Sequence, residues 1–139
     1  MTIVVLVRHA EPAAGGSDPG LAPAGVVRAA TLAKMLAAAE VSAIFTSDLR
    51  RTKETAAPLA SVLGNTPVVI ADDPQAAAAQ IKAAGPRVVV VGHSDTTPAI
   101  IKALGGPAVS IKPTQFDRMF VLTVPPSSAG SLLSLSYGS

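Results

Sequence analysis

Apolar residues in this chain follow two alternating rhythms. Short unbroken runs rich in β-branched residues read as strands, and longer stretches with apolar positions at helical spacing read as helices. The first run, "TIVVLV" (Thr2–Val7), has no polar alternation and predicts a strand buried on both faces. "LAPAGVVRAATLAKMLAAA" (Leu21–Ala39) follows as a helix, with Leu32, Met35, Leu36 and Ala39 at helical spacing. "SAIFTS" (Ser42–Ser47) is a second strand. "DLRRTKETAAPLASVLG" (Asp48–Gly64) is a helix capped by Ser47 and stopped by Gly64. "PVVI" (Pro67–Ile70) is a short strand, and "DPQAAAAQIKAAG" (Asp73–Gly85) a helix opened by an Asp cap and a proline. "RVVVVG" (Arg87–Gly92) is a further buried strand, and "TPAIIKALG" (Thr97–Gly105) repeats the cap–proline–helix–glycine grammar. From Phe116 the rhythm changes. "FDRMFVLTV" and "SLLSLSY" read as consecutive strands around a Pro-Pro-Ser-Ser-Ala-Gly turn, while Ala13–Gly20 reads as a loop. Alternating strands and helices predict an α/β protein with a mostly parallel sheet, the last two strands adding an antiparallel pair.

Composition narrows the chemistry. The 139 residues suit one domain over 1–139, long enough to bury a core without disulfides. Aromatic residues are 3% against 49% hydrophobic, so Val, Ile, Leu and Ala must build that core. No cysteine is present, which excludes disulfides, a thiolate nucleophile and Cys-ligated metal, and fits a reducing cytoplasm. The net charge of +2, without a basic block or aromatic stacking surface, gives nucleic-acid binding no support. The first residues lack the basic region of a signal peptide, and no stretch reaches membrane-spanning length. The expectation is a cytoplasmic protein without membrane partners.

The polar residues that matter stand where strands end. In open α/β sheets, ligands bind beyond the carboxyl ends of the strands. Arg8 and His9 follow the first strand, Arg50 and Arg51 open the helix after the second, and His93 follows "RVVVVG". These are both of the chain's histidines. Arginine grips phosphate as a permanently charged fork. A neutral imidazole can attack phosphorus and carry the phosphoryl group. Helix N-termini beyond the strands add N–H donors for the charge of the transition state. Two histidines joined by arginines make a poor cation site, so neither metal nor another cofactor is expected.

These motifs resemble the histidine phosphatase superfamily, which includes the cofactor-dependent phosphoglycerate mutases. The family's Arg-His-Gly is matched by Arg8-His9-Ala10. Its Ser-x-x-x-Arg-[Ala/Thr]-x-x-Thr-[small] signature is matched by Ser47, Arg51, Thr52, Thr55 and Ala56. Its strand followed by a histidine turn is matched by "VVVVGHSDTTPAI", and its first-helix entry Leu-x-x-x-Gly by Leu21 and Gly25. The resemblance runs from Ile3 to about Val124. It implies a three-layer α/β/α, phosphoglycerate mutase-like fold. It also implies His9 as the nucleophile, Arg8 and Arg51 as the phosphate clamp, and His93 completing the pocket. Arg51 is preferred to Arg50, which points roughly 100° away around the helix.

The expected activity is a metal-independent phosphatase acting through phospho-His9 on a phosphomonoester or a phosphohistidine. Its substrate would be a phosphorylated small molecule or phosphoprotein. The alternatives are a phosphate-binding or regulatory module with little turnover and a mutase-type phosphotransferase, the latter disfavoured because little chain is spare for a lid. Many relatives supply a glutamate as general acid after the third strand, and here that segment contains none. Asp72 ranks first as its replacement, then Glu11, with Asp95 a third candidate.

Overall fold

The computed structural model describes residues 1–138. Ten elements follow one another: β1 (Thr2–Arg8), α1 (Pro23–Leu36), β2 (Ala43–Thr46), α2 (Arg50–Leu63), β3 (Val68–Val69), α3 (Pro74–Lys82), β4 (Arg87–Gly92), α4 (Thr96–Ala103), β5 (Arg118–Val124) and β6 (Ser131–Ser136). They build one six-stranded sheet in the order β3-β2-β4-β1-β5-β6. Strands β3, β2, β4 and β1 run parallel, and β5 and β6 join antiparallel on the β1 side. The mostly parallel sheet with a terminal antiparallel pair is the one the apolar pattern predicts.

The sheet separates two apolar layers. Side chains alternate across a strand, so Val88 and Val90 of β4 enter one layer while Val89 and Val91 enter the other. The first layer joins Val4, Leu6, Phe120 and Leu122 to Ile81 of α3 and to Ile100 and Ile101 of α4. The second joins Val7 and Met119 to Leu32 and Leu36 of α1 and Ala56 and Leu59 of α2. Helices therefore cover both faces of the sheet, giving the three-layer α/β/α arrangement.

Element boundaries differ from the sequence reading where side chains have other work. α1 starts at Pro23 rather than Leu21, because Leu21 is bridged to Pro12 instead. It ends at Leu36, short of Ala39, and Met35 is exposed while Ala29, Leu32, Ala33 and Leu36 are buried. Ser47 does not cap α2; the N-cap is Leu49, and the Ser47 hydroxyl is engaged elsewhere. Gly64 stops α2 as expected, in the left-handed conformation at φ 64°, with its N–H turned back to the helix carbonyls. Asp73 caps α3 through the Ala76 N–H at 3.0 Å. At α4 the cap is Asp95, not Thr97, which is buried within the first turn. Strand β3 shrinks to two exposed residues at the sheet edge.

Candidate active site

Parallel pairing brings the two histidines together. In the β1–β4 register Arg8 stands opposite Gly92, so His9 and His93 leave adjacent strands at the same level. The His9 N–H donates to the Gly92 carbonyl at 2.8 Å. The imidazole centroids are 5.2 Å apart, edge towards face. Residues 84 positions apart in the chain thus share one rim of the sheet because their strands are neighbours.

The His9 ring is 4% exposed and oriented by the backbone. Its Nδ1 lies 2.8 Å from the Ala10 carbonyl, which only accepts, so Nδ1 carries the hydrogen and Nε2 keeps its lone pair. Burial pushes the His9 pKa down to about 4, with the Arg8, His93 and Arg51 charges acting in the same direction. The ring is therefore neutral near pH 7. The segment after it is tied to α2: Ala10 N–H donates to Thr55 Oγ1 at 2.9 Å, and Thr55 donates onward to the Arg51 carbonyl at 2.7 Å. Ala10 is fully buried, and its backbone does not occupy the left-handed region, so this position does not require the conformational freedom of glycine.

Arg8 is held by the loop before β5. Its Nη1 donates to the carbonyls of Pro113 and Gln115, both at 2.9 Å, and its guanidinium lies 4.1 Å from the centroid of the Phe116 ring. Its Nε is buried without a protein acceptor. Burial and the Arg51 charge lower its pKa. Arg51 sits in the first turn of α2, and its charge depresses the pKa of Arg8, His9 and His93 alike. Arg50 turns away as the helical angle predicts: it is exposed, paired with Glu54 at 2.9 Å, and its N–H donates to Asp18.

His93 is anchored through a hydroxyl chain. Its Nε2 is 2.8 Å from Ser47 Oγ, which is 2.9 Å from Thr52 Oγ1. Thr52 has the Leu49 and Ser47 carbonyls at 2.9 and 3.1 Å as acceptors for its single hydrogen. A consistent ordering has Thr52 donating to a carbonyl, Ser47 donating to Thr52, and His93 Nε2–H donating to Ser47. Nδ1 is then the ring nitrogen left for a ligand. Burial, followed by the Arg51 charge, lowers the His93 pKa, and Asp95 opposes that shift.

The three acid candidates separate clearly. Glu11 is committed to Arg28 of α1, its two oxygens taking Arg28 Nε at 2.9 Å and Nη2 at 3.1 Å. The hydrogen bonds from Arg28 hold its carboxyl below the usual range, which is the wrong direction for a proton donor. Asp95 accepts the Thr96 N–H at 2.9 Å as the α4 cap. Asp72 is exposed, and it lines a cavity together with Ser47 and Gly92. Phe116, the carbonyls of Pro113 and Gln115, and the anchoring role of Ser47 escaped the sequence reading. The one available signal for Phe116 is its rarity, as one of three phenylalanines in the chain.

The carboxyl rim of the α/β/α sheet thus gathers two histidines and two arginines. The model of the histidine phosphatase superfamily, branch 1, matches residues 4–74, which include Arg8, His9 and Arg51. The chain belongs to that superfamily, and a histidine-phosphatase type of enzyme function comes with the membership. Solved structures extend the similarity in fold past residue 74, over β4 and the elements that follow it. The protein histidine phosphatase SixA in complex with tungstate superposes with a TM-score of 0.79 at 17% identity, over 97% of each chain. A phosphoserine phosphatase from Entamoeba histolytica, in complex with 3-phosphoglyceric acid, gives 0.74 at 16% identity, over 100% of this chain and 98% of that one. A mycobacterial glucosyl-3-phosphoglycerate phosphatase in complex with VO3 gives 0.73 at 17% identity, over 95% and 97%. A search of curated proteins found no significant match. Among the described residues, no helix is long and apolar enough to cross a membrane.

Proposed function

We propose that this chain is a metal-independent phosphatase working in two steps through phospho-His9, on a phosphorylated small molecule or phosphoprotein in the cytoplasm. The observation that carries the reading is the buried, neutral His9, its Nε2 lone pair free and its ring 5.2 Å from His93. In the first step that lone pair forms an N–P bond as the P–O or P–N bond to the leaving group breaks. The bonding electrons go to the leaving group. Arg8 and Arg51 hold the phosphoryl oxygens, and the unpartnered Nε–H of Arg8 supports that assignment. His93, protonated at Nδ1 when the dianion binds, donates to a phosphoryl oxygen. Asp72, which lines the adjoining cavity, would protonate an alkoxide leaving group. In the second step water attacks phosphorus, the N–P bond returns its electrons to Nε2, and phosphate leaves.

The test is a phosphatase screen over aryl phosphates, sugar phosphates, nucleotides and phosphohistidine peptides, with a His9→Ala control and rapid-quench trapping of the phosphoenzyme. The expected intermediate is acid-labile and base-stable, as a phosphoramidate is. Wild-type turnover by His9→Ala would overturn the mechanism. Tight phosphate binding without hydrolysis of any substrate would turn the assignment to a phosphate-binding module.

A further inference from the structure

A cavity of about 250 Å³ lies against the histidine cluster on its β3 side. Ser47 and Gly92 form its wall towards that cluster. The Ser47 hydroxyl is 2.8 Å from His93 Nε2, and the Gly92 carbonyl accepts the His9 N–H. The cavity therefore adjoins the rim on which the phosphoryl group would sit. Its floor is aliphatic, made by Ile70, Val90 and Ile100, with Ala99 on the α4 side. The charged residues lining it are Asp72 and Asp95, both exposed, and no lysine, arginine or histidine joins them.

We infer that this cavity is the leaving-group subsite, that it takes an uncharged flat apolar group such as an aryl ring, and that it rejects leaving groups bearing a carboxylate or a second phosphate. The inference rests on the phosphatase reading above and adds the substrate class to it. Size argues for one or two rings, since pockets for larger drug-sized ligands begin at about 300 Å³. The aliphatic floor rewards apolar surface, and the polar side chains of the lining are those of Ser47, Asp72, Asp95 and Thr96. Two carboxylates without a counter-cation repel a further anion, so the selection works partly by exclusion. The chemistry agrees. When His9 Nε2 displaces an aryl oxide, the P–O electron pair stays on an oxygen already stable as an anion, which later takes its proton from water. No strong protein acid is required, and Asp72 is an exposed carboxyl rather than a buried one.

The experiment compares 1-naphthyl phosphate, acetyl phosphate and 3-phosphoglycerate as substrates of the purified chain and of Ala99→Leu, Ala71→Leu and Asp95→Asn. Filling the cavity in either leucine variant should lower kcat/KM for 1-naphthyl phosphate by about tenfold or more. Acetyl phosphate, too small to reach the floor, should be hydrolysed as before, which also reports that the variant is folded. Wild type should prefer 1-naphthyl phosphate to 3-phosphoglycerate by about 100-fold, and Asp95→Asn, which keeps the α4 cap, should narrow that gap. Unchanged naphthyl phosphate kinetics in both leucine variants, or a preference for 3-phosphoglycerate, would overturn the subsite. If no substrate turns over, the phosphatase reading is what has failed. The subsite is then read from 1-naphthol fluorescence: saturable binding to wild type that Ala99→Leu loses supports it, and no saturable binding ends it.

Discussion

His9 combines two requirements that pull against each other. A nucleophile must be neutral, yet a phosphate site must be positive. In the proposed mechanism burial resolves the conflict, holding the His9 pKa near 4 while Arg8 and Arg51 would supply the charge. His9→Ala should abolish turnover, because it removes the Nε2 lone pair proposed to attack phosphorus. His93→Ala and Arg51→Ala should each cost ~10²-fold in kcat, the scale of losing one donor to the transition state; steady-state kinetics on an aryl phosphate checks all three. Ser47 has a subtler effect, since it acts through the tautomer of His93. Ser47→Ala should lower kcat about tenfold, the worth of one hydrogen bond to a charged ring. It should also mix the His93 tautomers seen in ¹⁵N NMR, and Ser47→Thr should restore both. A His93 tautomer unaltered in Ser47→Ala would show that the hydroxyl does not set it.

At the level of elements, the position of the His9 turn depends on how closely α1 approaches it. A Cβ at Gly25 would stand 2.3 Å from the Glu11 carbonyl oxygen, a backbone atom that cannot swing aside. Gly25→Ala should therefore destabilise the fold by about 1–3 kcal/mol and depress activity by moving the turn. Urea unfolding and kcat together test this, and a variant with wild-type values in both would refute it. The same helix sends Arg28 to Glu11, to the Tyr137 carbonyl and over the Tyr137 ring, joining the end of β1 to the end of β6. Arg28 is 6% exposed, so Arg28→Met leaves Glu11 partly buried without its cation. The expected loss is about 3 kcal/mol.

For the whole molecule the buried histidines set a pH dependence. The folded pKa of His9, about 4, lies below the ordinary value of 6.5 that the unfolded chain would show. Between those values the unfolded state binds more protons, so stability rises with pH. His93 is shifted in the same direction. The melting temperature should therefore hold steady above about pH 6.5 and fall as pH drops from there towards 4. His9→Asn should flatten part of that fall. A melting temperature that rises on acidification through this window would contradict the burial of neutral imidazoles.

The sequence by itself determined the order and type of the elements, the parallel sheet and the placing of Arg8, His9 and His93 just past the ends of strands. Each of those is written locally. β-branched runs make buried strands, caps and glycines end helices, and polar residues just past a strand must lie at the sheet's rim. Arg51 is preferred to Arg50 because it alone fits the spacing of the signature the chain resembles, and about 100° of helical rotation then turns Arg50 away. Only the tertiary structure decided how those residues are used. Ser47 reads locally as a helix cap, yet the proximity of β4 to β2 offers its hydroxyl the His93 ring instead. Glu11 reads as a carboxyl beside His9, yet α1 brings Arg28 to neutralise it. Phe116 and the carbonyls that hold Arg8 come from a loop more than 100 residues away. Such contacts depend on which strands become neighbours, a property of the sheet order that no local pattern of side chains records.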